Sequence, residues 1–187
     1  MNGLWGKAVR RSVIVVAGAV ALAVPAQAPA ATDAFLHLNG IQGESNVEGF
    51  VNDIEVFDWT WGASSSGAAK ATTQDVTFKK HVDRSSPALL QKLYSGQTIA
   101  DGSLSTRKVG AQPFVFLKFC FTNLRVTSVN LAGPGDEGVE ETVSFSFASI
   151  VEKYTQQAAD GSAGQSFTFG WDLVKYLQLS NATQAAC

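Results

Sequence analysis

Along this chain, apolar residues recur at every second position in several short blocks, each bounded by clusters of Gly, Asn, Asp and Ser. That period belongs to antiparallel strands with one face in a core and the other in water. The first block is Phe35-Leu36-His37-Leu38, after which Gly40, Gly43 and Asn46 punctuate a loop running to about Asn52. Ile54 and Val56 share one face, but Phe57, Trp59 and Trp61 carry the apolar set onward on the opposite parity, so a bulge is expected near Val56. The stretch from Gly62 to Thr73 is small and polar, which predicts a mobile surface loop. Val76, Phe78 and Val82 then fall on one strand face, opposite Asp75, Thr77, Lys79 and His81. Leu117, Phe119 and Phe121 alternate with Lys118, Cys120 and Thr122, and Val143, Phe145 and Phe147 alternate with Ser144, Ser146 and Ala148.

One segment changes period. Ser86-Pro87 offers an N-cap followed by Pro at the first helical position, Leu89, Leu90, Leu93 and Tyr94 form a stripe, and Gly96 ends it. The pattern predicts one short helix over about 87–95 among at least about six strands, hence an all-β domain. No internal repeat or linker divides it.

The first thirty residues read differently. Lys7, Arg10 and Arg11 precede an apolar run from Val13 to Val24, closed by Pro25 and small residues. This is the layout of a cleavable export signal with cleavage near Ala30, and the run falls short of the about 20 residues that a spanning helix needs. Stable membrane anchoring is therefore not expected. The Arg10-Arg11 pair lacks the rest of a twin-arginine motif, which favours the ordinary secretory route. Cleavage would remove three of the 14 bases and none of the 16 acids, leaving a net charge of −5 on residues 31–187. That balance excludes nucleic acid as an expected partner. Cys120 and Cys187 both survive cleavage, and an oxidising compartment would permit either one internal bridge or cross-chain pairing. Cys120 sits on the polar face of its strand, while Cys187 ends a flexible tail, so an internal disulfide is geometrically open.

Candidate chemistry is thin. His37 and His81 are the two histidines, each on a strand, without HExxH, CxxC or GxSxG company. No catalytic, cofactor or metal site is expected, and the chain reads as a non-enzyme. Glu44-Ser45, Asp53 and Glu55 gather acids near one loop, but without the rhythm of a calcium loop. Asp136-Glu137 and Glu140-Glu141 follow Gly133-Pro134-Gly135 and read as a charged hairpin tip. Trp59, Trp61 and Trp171 are more readily core residues than a carbohydrate platform.

Several of these residues form an ordered set: Phe35-Leu36, Gly40-Ile41-x-Gly43-Glu44-Ser45, Ile54-Glu55-Val56 with Trp61-Gly62, and Gln74-Asp75-Val76-Thr77-Phe78-x-Lys80-x-x-Asp83. Ser86-Pro87, Thr106-Arg107-Lys108-x-Gly110, Glu141-x-Val143-Ser144-Phe145-x-Phe147-Ala148, Ala159-Asp160-Gly161-Ser162 and Gly170-Trp171-Asp172 continue it. From Phe35 to Asp172 the chain resembles the haemolysin-coregulated protein (Hcp) family, the tube protein of type VI secretion. The resemblance implies a small antiparallel β-barrel with one short helix, assembled into a homohexameric ring. Such rings would stack into a tube whose lumen carries effector proteins, and no catalytic residues come with the family. The leader and a tail of about fifteen residues ending in Cys187 lie outside the resemblance.

The long loop from Ile41 to Asn52, with Gly43, Glu44 and Ser45 at its motif, is the candidate contact to a neighbouring subunit or stacked ring, because a loop of that length in a compact barrel is usually functional or disordered. The alternative is an exported single-barrel binding module or effector that acts alone, outside a contractile secretion machine.

Overall fold

A computed structural model describes residues 31–187 apart from 68–69, 136–137 and 186. The expected leader therefore lies outside the described residues, as do Asp136 and Glu137 of the charged turn. The alternating blocks form antiparallel strands: β1 (Thr32–Leu38), β2 (Ile54–Val56), β3 (Asp58–Thr60), β6 (Val76–His81) and β7 (Ile99–Lys108). They continue as β8 (Phe114–Gly135), β9 (Gly138–Ser146), β10 (Ser149–Gln157) and β11 (Ala163–Asp172). Two-residue strands β4 (Ala63–Ser64), β5 (Thr72–Thr73) and β12 (Leu177–Gln178) complete the set, with helices α1 (Ser85–Ser95) and α2 (Asn181–Ala185).

Ten of these strands share one hydrogen-bonded network. Its first sheet runs β12-β11-β10-β8-β7-β1-β2, and its second runs β8-β9-β6-β3. The two sheets enclose one core containing Leu36, Ile54, Phe78, Leu104, Phe121 and Phe145. The mostly antiparallel β architecture is the expected one, but the ladders do not close into an unbroken barrel. The sheets join instead at two corners.

The 22-residue strand β8 makes one corner. Its first half pairs with β7 and β10, its second half with β9. Asn123 lies between them with φ of 50°, a left-handed conformation that Asn tolerates better than most residues. Thr122 and Asn123 both face outward, so the buried set moves from Phe119 and Phe121 to Leu124 and Val126. Phe57 makes the other corner. Its N–H donates to Lys79 O, and Phe57 and Asp58 are consecutive outward residues between buried Val56 and part-buried Trp59. The parity switch is thus a bend at which the chain leaves β1 for β6, rather than the expected bulge within one ladder, and Phe57 belongs to the outer face rather than to the Trp59/Trp61 set.

Aromatic residues fill the core between the corners. Phe121 packs edge-on to Phe145 at 5.3 Å and lies 5.0 Å from Phe147, while Trp59 and Trp61 lean on Phe119 at 5.5 and 5.7 Å. Each such pair adds about 0.5–1.5 kcal/mol beyond the area it buries.

Three further expectations need correction. The stretch from Gly62 to Thr73 is not a plain loop, since Ala63 and Ser64 pair with Thr73 and Thr72 in a small ribbon. On β6 the third buried residue is Lys80 rather than Val82, which is 46% exposed. Helix α1 begins two residues early, at Ser85, and Ser86 is not its cap. Asp83 Oδ1 instead accepts Ser85 N–H at 2.9 Å, and Gly96, with φ of 64°, ends the helix in the left-handed conformation as expected. Leu89 is buried and Leu93 packs against the core, whereas Leu90 and Tyr94 point into solvent.

Candidate functional site

The register of β6 against β9 sets Val76 opposite Phe145, Phe78 opposite Val143, and Lys80 opposite Glu141. The first two pairs are core, and the third is an ion pair on the same face. Lys80 is 0% and Glu141 1% exposed. The Lys80 ammonium lies 2.8 Å from Glu141 and Asp83, and 2.9 Å from His81 O and Ser86 Oγ. Ser86 Oγ donates to Glu141 Oε2 at 2.7 Å and accepts Asp83 N–H at 3.2 Å. A buried charge is costly unless paired and hydrogen-bonded, and here every charge in the cluster has partners. The cluster ties β9 and β6 to the start of α1. It brings together Lys80, Asp83, Ser86 and Glu141, all of them in the motif set, although the run of acids after the Gly133-Pro134-Gly135 turn reads Glu141 as part of an exposed tip. The readable signal was a pair of opposite charges on the apolar parity of two strands.

The loop carrying Gly43, Glu44 and Ser45 is anchored onto the same corner. Arg84 Nε donates to Gly43 O, and Glu44 Oε1 accepts Arg84 N–H at 3.1 Å. Ser45 N–H donates to Asp53 O at 3.1 Å, and Ser45 O accepts Asn52 N–H at 2.8 Å. Gly43 leaves no room for a side chain, because a Cβ there would strike the backbone of Asp53 and Ile54. Gly43 and Ser45 are buried and set the shape of the loop, while Glu44, Asn46 and Glu48 present its outer surface. Phe50 returns to stack on Phe35 at 4.3 Å and so covers the outer face of β1. His37 faces out beside this loop, with Nδ1 2.9 Å from Asp53 Oδ1, and the ring of His81 lies 5.0 Å from that of Phe57.

At the far side of the first sheet the pattern inverts. The sheet is wider than its partner, so β10 and β11 extend beyond the second sheet. Tyr154 pairs across to Leu117 and Phe167, and Glu152 to Phe119 and Phe169. These positions share the face that elsewhere makes the core, yet Tyr154 is 44%, Phe167 52% and Phe169 51% exposed. Phe169 stacks along Trp171, Trp171 meets Tyr176 edge-on at 5.2 Å, and with Trp61 and Ile150 they line an apolar hollow of about 280 Å³ beside the β4–β5 ribbon. Among the described residues, no strand pairs with the outer edge of β11 between Ala163 and Phe169.

The tail after Asp172 does not hang free. Leu177 and Gln178 pair with Asp172 and Trp171, and Leu179 N–H donates to Gly170 O at 3.0 Å. Cys187 then joins Cys120 within the chain in a disulfide, with Cα atoms 5.8 Å apart. Cys120 lies on the outward face of β8, opposite Ser103 and Val151, so the tail crosses the outside of the first sheet.

Comparison with known proteins fits this architecture. Residues 35–154 match the family described as type VI secretion system effector, Hcp. Over 160 residues the chain is 32% identical to protein Hcp1 of Pseudomonas aeruginosa, covering 79% of this chain and 99% of that one. The crystal structure of Hcp1 from Salmonella typhimurium superposes with a TM-score of 0.71 at 32% identity, covering 80% of this chain and 99% of the other. A type VI secretion system effector from Yersinia pestis gives 0.64 at 28% identity, covering 75% and 99%. An open two-cornered β architecture, a charge cluster built from the motif residues and these likenesses converge: the chain belongs to the Hcp family of type VI secretion proteins.

Proposed function

We propose that this chain is a non-enzymatic tube subunit that closes into a homohexameric ring, and that the rings stack and carry effectors in their lumen. The observation that supports this reading best is the uncovered edge of the first sheet. Tyr154, Phe167 and Phe169 are exposed on a face built like a core, beside a strand edge whose backbone groups have no strand partner among the described residues. A monomer gains nothing from such a surface, whereas a neighbouring copy would bury it. Contact between two different patches, repeated by rotation, closes a ring. The Gly43-Glu44-Ser45 loop, rigidly held and exposed through Glu44 and Asn46, supplies a second contact to a neighbouring subunit or stacked ring.

The test is the solution mass of the chain from Ala31 onward. A subunit of about 17 kDa should travel as a particle near 100 kDa. Shortening the 41–52 loop should lower that mass while leaving the fluorescence of Trp59, Trp61 and Trp171 unchanged. A monomer at tens of micromolar would refute the ring. We further propose that residues 1–30 are a cleaved export leader, so that exported material begins between Gln27 and Asp33 by intact mass. Full-length protein recovered from the cytoplasm alone would refute that part.

A further inference from the structure

The C-terminal tail, with Cys187 of its disulfide, lies beyond residues 35–154, where the family match ends, and the tube reading makes no use of it. Its packing is unusual in what it lacks. Leu177 and Leu179 are the apolar residues between Tyr176 and Asn181, of which Leu177 is about half exposed and Leu179 part-buried. Up to Tyr176, whose hydroxyl accepts Ala71 N–H at 2.7 Å, the tail is tied to the domain; beyond it the non-covalent hold includes a two-residue ladder to β11, the Leu179 N–H bond to Gly170 O, and Lys118 Nζ donating to Cys187 O at 3.1 Å. Gln184 is buried, and its Nε2 donates to Leu179 O at 2.7 Å, a bond internal to the tail. Helix α2 spans five residues, far below the length at which a helix stands alone. A segment with so little apolar burial is expected at the low-stability end of a fold.

The sheet beneath is shaped to receive it. A Cβ on Gly170 would come within 2.8 Å of Gln184 Cγ and 3.2 Å of Leu179 Cβ, so the tail approaches the strand as closely as glycine allows. Val151, on the outward face beside Cys120 and Gly170, is buried, in contrast to the open aromatic residues of the inner face.

From this we infer that the C-terminal segment is a redox latch: the Cys120–Cys187 bond holds it over the Val151/Gly170 strip, and reduction releases it from an otherwise intact domain. Opening is thiol–disulfide exchange. The thiolate of a dithiol attacks one sulfur to give a mixed disulfide, and its second thiol displaces the protein. The products are two protein thiols and one oxidised reagent, with two electrons moved from reagent to protein. Closing reverses this with a small-molecule or protein disulfide as oxidant. The chain would therefore carry an open strip at the edge of the first sheet in a reducing compartment and a sealed one in an oxidising compartment. The inference rests on the tail alone and survives whether or not the subunits form rings.

Amide exchange on the full mature chain, with and without a dithiol reductant, tests it. Reduction should speed exchange at Leu179 and Gln184 by about 100-fold or more, while amides of Leu36, Phe78 and Phe121 keep their protection. Trypsin cleavage after Lys175, which lies between β11 and β12, should accelerate at least about tenfold on reduction. Cys187→Ser should reproduce both changes without reductant. Unchanged exchange at Leu179 and Gln184 after complete reduction would overturn the latch, since other contacts would then hold the tail. Equal loss of protection in the core amides would also overturn it, since the bond would then be a staple for the whole domain.

Discussion

The Lys80 corner and the β10–β11 edge are opposite solutions on one scaffold. At the corner, charged residues occupy core positions and are buried with every partner supplied by the same chain. At the edge, aromatic residues occupy core-type positions and are left open, and among the described residues no strand pairs with the outer side of Ala163–Phe169. The sheets explain the contrast. Strands β6 and β9 face the first sheet across the core, whereas β10 and β11 extend beyond the second sheet. A residue's parity determines which way it points, and the opposing layer determines whether anything meets it. The corner is therefore finished within one subunit, while in the proposed ring the edge would be finished by another.

The comparison breaks most visibly at the corner. Lys80→Ala would strand the Glu141 carboxylate in the core and should cost about 3–5 kcal/mol, seen as a lower denaturant midpoint. Replacing both, Lys80→Met with Glu141→Leu, should recover part of that loss, because the fully buried carboxylate goes with its partner and only the less buried Asp83 is left without the ammonium. If the single and double variants were equally damaged, the pair would not be acting as a unit.

At the edge the expected effect has the other character. Phe167→Ser with Phe169→Ser should change subunit stability by no more than about 0.5 kcal/mol, since both residues are half exposed, yet should shift the particle toward monomer in light scattering. A stable variant of unchanged mass would remove the edge from the assembly. Glu44→Ala is a smaller perturbation, joining loop and corner. Loss of the acceptor for Arg84 N–H should cost about 0.5–1.5 kcal/mol in thermal unfolding, with α1 intact by circular dichroism.

The smallest effect lies at the tip joining β10 to β11. Asp160 is held below the ordinary carboxylate value of 3.8, first because the Ser162 hydroxyl and then because the Ser162 N–H donate to it. A depressed carboxyl contributes stability that is present above its unfolded value and is lost as pH falls through the folded one. Asp160→Asn should therefore be slightly less stable than the parent at neutral pH and converge with it in acid. A difference that persisted or grew in acid would show that the charge is not responsible.

Much of the architecture can be read from residue order alone. Period-two alternation locates β1, β6, the first half of β8 and β9, because one wet and one dry face demand it. The parity break before Trp59 marks a corner, and the ordered motifs identify the family. Alternation also puts Cys120 on the outward face. Several other features emerge only when strands are laid side by side. Lys80 and Glu141 lie 61 positions apart in the numbering, and only the β6–β9 register makes them neighbours and keeps both charges tolerable in the core. Ser86 has the residue type of a helix cap, but the ammonium and carboxylate beside it recruit its hydroxyl, leaving Asp83 to meet the first free N–H groups of the helix. Phe167 and Phe169 alternate like buried residues, and their exposure follows from the width of the opposing sheet, which no local pattern encodes. The tail reads as polar and unstructured on its own. It gains a strand, a helical turn and a fixed end because Gly170 leaves room for it and Cys120 waits on the same face. Local chemistry determined which residues could be strand, turn or bridge, and long-range register determined which of them meet.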